Sequence, residues 1–287
     1  MDSFIQSQVE ELLGKRVLKF SSASGGCIAQ SFIVTFEDKS KCFIKTMPEI
    51  FSKNFQMLKS EALGLKEISK SKAIHAPTPL ACNNHVLILP FIELGRPNKA
   101  FWYLFGQQLA ELHRYQAKEY GFYADNFIGT TFQKNTFYSS WPDFFWKQRL
   151  CFQFYLLESK SMVDSELRKG FAVLESCIEE LIGEPEGPSL LHGDLWRGNY
   201  LCSLEGTPVL IDPAVYYGDR EVDLAMSRLF GGFAPEFYQA YEEAYPLRKG
   251  AEDRVDIYNL YHIFNHINLF GLSYYGQALS LIRKYIV

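Results

Sequence analysis

Apolar residues recur at helical spacing from the start of the chain: in MDSFIQSQVEELLGK, Phe4, Ile5, Val9, Leu12 and Leu13 share one helical face. The pattern then changes. RVLKF, CIAQSFIVTFE and KCFIKT are dense in β-branched and aromatic residues and read as strands, and the polar EDKSK suits a hairpin turn between the last two. A helix is expected over about 51–70, where Phe55, Leu58, Ala62, Leu65 and Ile68 repeat at steps of three and four. HVLILPFIEL reads as a buried strand running into a connector at Pro90. From FWYLFGQQLAELHRYQ onward the periodicity is mostly helical, broken by two short strand-like runs around LLHGDLWRGNYL. The change near residue 95 divides the chain into an expected N-terminal lobe, 1–92, and a larger lobe, 93–287.

Composition narrows the classes of function. Hydrophobic residues at 47% in 287 positions are ample for a core. A net charge of −4 leaves no basic footprint, so nucleic acid is not expected as a partner. No apolar run reaches the roughly 18–20 residues of a membrane span. The acidic amphipathic start lacks a cationic leader region, and a cytoplasmic location is expected. Six cysteines without a CxxC pair indicate neither a zinc site nor a disulfide scaffold. There are no repeats or low-complexity tracts.

LLHGDLWRGNYL places Asp194 and Asn199 five residues apart, the spacing of the kinase pattern H-R-D-L-x-x-x-N. Phosphoryl transfer needs these residue types. A carboxylate orients the attacking hydroxyl and takes its proton, and an amide oxygen can ligate magnesium. Asp212, at the end of PVLI, is the second candidate metal ligand. Magnesium takes few oxygens from protein because nucleotide phosphates supply others. Aspartates beside glycine or proline also simply make turns. That accounts for one of the two, not for both together with Asn199 and a lysine-bearing sheet. ATP and Mg²⁺ are the expected cofactors. The expected fold is α+β and two-lobed, protein-kinase-like: an antiparallel sheet with an inserted helix, then a larger, mostly helical lobe.

The nucleotide side follows from motif order. SSASGGCIAQSF offers Gly25, Gly26 and Cys27 as a phosphate-covering turn, and CFIKT, one hairpin later, offers Lys45 for the α/β-phosphates. Glu61, on the next helix, is the partner expected to hold Lys45. Leu89, Pro90, Phe91 and Ile92 form the expected adenine hinge: Leu89 as gatekeeper, Pro90 giving only its carbonyl, Ile92 giving an N–H.

No activation segment follows Asp212; DPAVYYGDREVDLAMSRLFGGF runs straight into a helix. This resembles small-molecule kinases of the aminoglycoside- and choline-kinase type. HGDLWRGN, YYGDREVDLAMSRLFGGF, FIGTTFQKN, WPDFFWKQRL and YHIFNHINLFG together resemble the fructosamine kinase (ketosamine-3-kinase) family over essentially the whole chain. The resemblance implies ATP-dependent phosphorylation of the 3-hydroxyl of a ketosamine, free or protein-bound. Phosphate on C3 lies β to the C2 carbonyl, so it can be expelled and the amine released, a deglycation. Asp194 is then the general base, Asn199 and Asp212 hold metal, and Lys45 with Glu61 holds phosphates. Trp196 is expected beside the sugar, with His192 and Arg197 of the same motif on the substrate side. Arg197 reads most simply as a surface charge, with a preference for phosphorylated or acidic substrates as the alternative. Cys27 matches the family's loop cysteine, and two readings stay open for it: an inert strand cysteine, or a thiol whose oxidation, including an intersubunit disulfide, suppresses activity; monomer or homodimer both remain open. Ser24 and Ala29 stand where the family's nucleotide loop usually has a glycine and Glu or Asn. His262 and His266 read as hydrogen-bonding helix residues on the substrate side, and Tyr216, Tyr217, Phe230 and Phe233 as cleft borders. The rival readings are an aminoglycoside, choline or pentose-derivative kinase, or a non-catalytic nucleotide-binding protein.

Overall fold

The computed structural model describes residues 3–23, 29–47 and 56–285. Five antiparallel strands form one sheet in the order β1-β2-β3-β5-β4: β1 Val17–Ala23, β2 Gln30–Phe36, β3 Lys41–Thr46, β4 Ala81–Cys82 and β5 Val86–Pro90. Its two faces follow from the strands' alternation. Val34, Phe36, Cys42, Ile44, Val86 and Ile88 point to one side and close a small core with Val9 of α1 (Ser3–Leu13). Leu87 and Leu89 point to the other and join the main core with Leu58, Ala62, Leu65 and Ile68 of α2 (Gln56–Ser71). Lys45 pairs with Leu87 and shares that second face. The amphipathic face of α1 is narrower than its sequence suggests. Ile5 and Leu13 pack against the small core, whereas Phe4 stays exposed, edge-on to His85. Phe55, counted above in the second helix, lies outside the described residues.

The connector after β5 is pinned to the second half of the chain. Gly95 N–H donates to Cys202 O at 2.9 Å, and Leu204 N–H to Glu93 O at 2.8 Å. Asn98 then caps α3 (Lys99–His113) by accepting the Phe101 N–H. A short hairpin follows, β6 Asn126–Ile128 with β7 Thr131–Gln133. Next, α4 (Trp141–Phe144) continues through a π-helical turn, Phe145–Leu150, into α5 (Cys151–Ser159). After α6 (Ser165–Ile182) come four short strands in two antiparallel pairs. β8 (Ser189–Leu191) pairs with β11 (Tyr216–Gly218), and β9 (Tyr200–Cys202) with β10 (Pro208–Leu210). The remaining helices are α7 (Glu221–Leu229), α8 (Pro235–Ala244), α9 (Ala251–Phe270) and α10 (Tyr275–Arg283). The mostly buried α9 packs against α5, α7 and α10, and forms the floor of the helical part. Among the described residues no helix is long and apolar enough to cross a membrane.

Candidate active site

The β8/β11 and β9/β10 pairs set two loops side by side, 192–199 and 211–215, and these interlock. Ala214 N–H donates to His192 O at 2.9 Å, and Ile211 N–H to Asn199 O at 3.1 Å. Gly193 has φ +82°, and a Cβ there would meet Ala214 O at 2.1 Å, so the motif needs glycine before its aspartate. Asp212 is itself in the left-handed region at φ +56°, a costly conformation that the interlock sustains.

Both loops open onto a cavity of about 620 Å³ between the sheet with α2 and the helical part, lined by Lys45, Glu61, Asp194, Asn199, Asp212 and Trp196 among others. Lys45 donates to Glu61 Oε1 at 2.7 Å and also contacts the Asp212 carboxylate. Burial opposes its ammonium, but Asp212 and Glu61 outweigh that and hold Lys45 above its usual range. Burial also lifts the Glu61 carboxyl, against the pull of Lys45. Asn199 donates through Nδ2 to both the backbone O and Oδ2 of Asp194, each at 2.8 Å. Burial pushes the Asp194 carboxyl up to about 7; the Asn199 bond opposes this, and the charges of Asp212 and Asp223 add to it.

The oxygens present fit a hard cation. The Asn199 amide nitrogen is committed to Asp194, which leaves its Oδ1 for a cation, and Asp212 lines the same cavity. Among the described residues no three His, Cys, Asp or Glu side chains gather to hold a metal by themselves. Two protein oxygens, with the rest supplied by phosphates and water, is the donor set that suits Mg²⁺.

Trp196 is half-buried, its ring edge-on to Phe230 at 6.0 Å. It folds back over Gly198, where a Cβ would lie 2.4 Å from Trp196 Cζ2, which explains the spacing W-x-G.

Not every residue that the sequence offered reaches this cavity. His192 is fully buried and does not line the cavity. Its Nε2–H donates to Ile211 O at 2.8 Å while its Nδ1 accepts the Asp194 N–H at 3.2 Å, so it braces both loops from behind rather than facing a substrate. Arg197 is exposed and outside the lining, although its neighbours Trp196 and Gly198 line the cavity. Leu89, Pro90, Phe91 and Ile92 do not line this cavity; Leu89 is buried in the core, Pro90 is paired with Cys42, and Lys41 lies over the Phe91 ring at 5.2 Å. Gly25, Gly26 and Cys27 lie outside the described residues. Phe230 borders the cavity, but Tyr216, Tyr217 and Phe233 do not. Tyr217 turns away to donate to Glu67 Oε1 of α2 at 3.0 Å. His266 lines the cavity, whereas His262 is buried with no hydrogen-bond partner at either ring nitrogen among the described residues, and burial pushes it down to about 3.

Two supports were not legible as functional. Asp223 of α7 is fully buried beneath the first loop, accepting His192 N–H at 2.7 Å and Gly193 N–H at 2.9 Å. A buried amide set reaches the second loop from the β6–β7 hairpin: Asn126 Nδ2 donates to Val215 O at 2.7 Å, and Gln133 Nε2 to Ala214 O at 3.1 Å. The hairpin tip, Phe127 to Gly129, lines the cavity, so one element touches both the ligand space and the segment after Asp212. Gln133→Leu orphans Ala214 O and takes the acceptor from the Tyr261 hydroxyl, while Asn126 Oδ1 keeps its bond from Asn135 Nδ2. We expect a loss of about 1–3 kcal/mol, read as a lower urea midpoint; an unchanged midpoint would deny the amide this role.

Comparison with known proteins identifies the family. The family described as fructosamine kinase matches residues 1–287. A "probable ketoamine kinase" of Synechocystis sp. is 38% identical, over 98% of this chain and 95% of that one. A candidate fructosamine-3-kinase of Thermobifida fusca YX-ER1, solved by crystallography, is 29% identical with a TM-score of 0.88, covering 98% of each chain. An ADP-bound aminoglycoside phosphotransferase shares the fold at 15% identity, with a TM-score of 0.67 over 99% of this chain and 97% of that one. The chain therefore belongs to the fructosamine kinase family and has its two-lobed, α+β, protein-kinase-like fold.

Proposed function

We propose that this protein transfers the γ-phosphoryl group of ATP, with Mg²⁺, to the 3-hydroxyl of a ketosamine. The observation that carries the reading is the convergence of Asp194, Asn199, Asp212 and Lys45 on one cavity that Trp196 also lines. Magnesium-bound ATP, when present, supplies the phosphoryl group and neutralises charge on the phosphates. Asn199 Oδ1 and the Asp212 carboxylate would hold the metal, and Lys45, set by Glu61, would hold phosphate oxygens. Asp194 would accept the hydroxyl proton. Its raised carboxyl pKa makes it a stronger base than an exposed aspartate once ionised. Trp196 offers an aromatic face to the C–H surface of the sugar. The names of the ketoamine kinase and fructosamine-3-kinase relatives support this substrate class. Phosphate placed on C3 is β to the C2 carbonyl; enolisation expels it and prepares release of the amine.

Measuring ATP consumption across fructose-, ribulose- and erythrulose-derived ketosamines, with the phosphorylated carbon located by NMR, tests the reading. Turnover of none of them, or phosphate on a carbon other than C3, would sink it. Lys45→Met is expected to lower kcat/KM for ATP by about 10²-fold, measured under saturating ketosamine.

A further inference from the structure

The aromatic part of the cavity lining has a different chemistry from its charged residues. Phe230, at the end of α7, lies 4.8 Å from the His266 ring, and His266 lies 5.5 Å from Phe270 and 5.0 Å from Tyr274. Trp196 continues the set on the sugar side. Gly271, at φ +85°, ends α9 and turns the chain back so that Tyr274 rests on His266. Of the described residues that line the cavity, the charged ones are Lys45, Glu61, Asp194 and Asp212. Lys45 is bonded to Glu61 and Asp212, and Asp194 to Asn199, so all four belong to the phosphate-side cluster. The aromatic wall carries none. Burial keeps His266 neutral, and its Nδ1–H donates to His262 O at 2.8 Å, which leaves Nε2 as an acceptor. Phe270 is half exposed at the mouth.

We propose that this wall is the subsite for the amine half of the ketosamine, and that it selects hydrocarbon substituents on the nitrogen over those with a carboxylate on the adjoining carbon. The proposal rests on the ketosamine reading above. With the 3-hydroxyl at Asp194 and the sugar against Trp196, the nitrogen stands three bonds from C3 and its substituent runs out along the wall. A secondary ammonium is drawn to the negative faces of aromatic rings, and an alkyl or aryl chain packs on them. A carboxylate meets the same faces with the opposite sign, and would lose water without gaining a cation. Arg197, outside the lining, does not compensate, so the wall argues against the acidic-substrate preference that its position in the motif suggested.

The test compares two adducts of one sugar, on butylamine and on alanine, by steady-state kinetics with ATP saturating. Wild type should favour the butylamine adduct by about tenfold in kcat/KM, mostly through KM. Phe270→Leu keeps apolar volume and removes one ring face, and Tyr274→Ala removes another. Each should raise KM for the butylamine adduct more than it lowers kcat and bring the preference towards one. Efficient wild-type turnover of both adducts without preference, or a preference that both variants retain, overturns the subsite and leaves the ketosamine reading intact. Turnover of neither adduct by wild type overturns the reading and the subsite together.

Discussion

Asp194→Asn is expected to lower kcat by about 10²–10⁴-fold while leaving the cavity's shape in place, since Asn199 already bonds both the backbone and the side chain of residue 194. The amide cannot take a proton from the attacking hydroxyl. In wild type the same group sets the pH dependence. Its carboxyl is pushed up to about 7, first by burial and then by the charges of Asp212 and Asp223. A base must be ionised, so kcat/KM should fall as pH drops below about 7. Stability runs the other way. A carboxyl whose folded pKa lies above its unfolded value of 3.8 favours folding below that value, and the benefit is lost as pH rises through about 7. Above pH 7 the buried charge is therefore a burden on the fold, and Asp194→Asn should unfold at a higher temperature than wild type at pH 8, with the gain shrinking towards pH 4. Kinetics and thermal unfolding across pH 4–9 measure both effects. Wild-type turnover in the variant would remove Asp194 from the role of base; a flat acid limb in wild type would remove its raised pKa from the mechanism.

How much of this was legible before any coordinates depended on whether the signal was local. The strands show because their segments are dense in β-branched and aromatic residues, and β5, packed on both faces, is buried from Val86 through Leu89. Asp194, Asn199 and Asp212 show because phosphoryl transfer demands their types at close spacing. Lys45 and Glu61 are 16 residues apart and were paired by motif order; the sheet and α2 bring them to 2.7 Å. His192 was misplaced because a motif histidine looks the same whether it faces a ligand or braces a loop. Only the carbonyl of Ile211, 19 residues on, decides the matter. Asp223 and the Asn126–Gln133 pair gave no local sign at all. An acid in the first turn of a helix is an ordinary favourable charge, and amides in a short hairpin look solvent-facing. Their importance comes from loops that reach them in space: Asp223 lies 30 residues from Gly193, and Gln133 lies 81 from Ala214.

Asp223 yields the second large effect. Its carboxylate takes both N–H groups of the His192–Gly193 turn and faces His113 Nε2 at 3.3 Å, with no solvent exposure. Burial disfavours its charge, but the bond to His113 and the neighbouring donors prevail and hold its pKa below the usual carboxylate range. Burial keeps His113 neutral, so Nε2–H donates to Asp223 and Nδ1 accepts from Tyr241 Oη at 2.7 Å. Asp223→Asn has one acceptor oxygen where three donors converge, and its amide N–H groups point at one of them. An orphaned buried donor costs about 1–3 kcal/mol. Because the folded pKa is depressed, that loss should persist at every pH above the unfolded value of 3.8 and narrow only as pH falls through the folded value. The turn it releases carries Asp194, and a displacement of about an ångström there is enough to cost about 10²-fold in kcat. A purely structural defect would stop at those two effects. Asp223 also contributes to the raised pKa of Asp194, so removing its charge should move the acid limb of kcat/KM to lower pH. An Asn variant with a lower melting temperature but an unmoved acid limb would confine Asp223 to the scaffold; a moved limb would place it in the electrostatics of the base, one helix beneath the reaction.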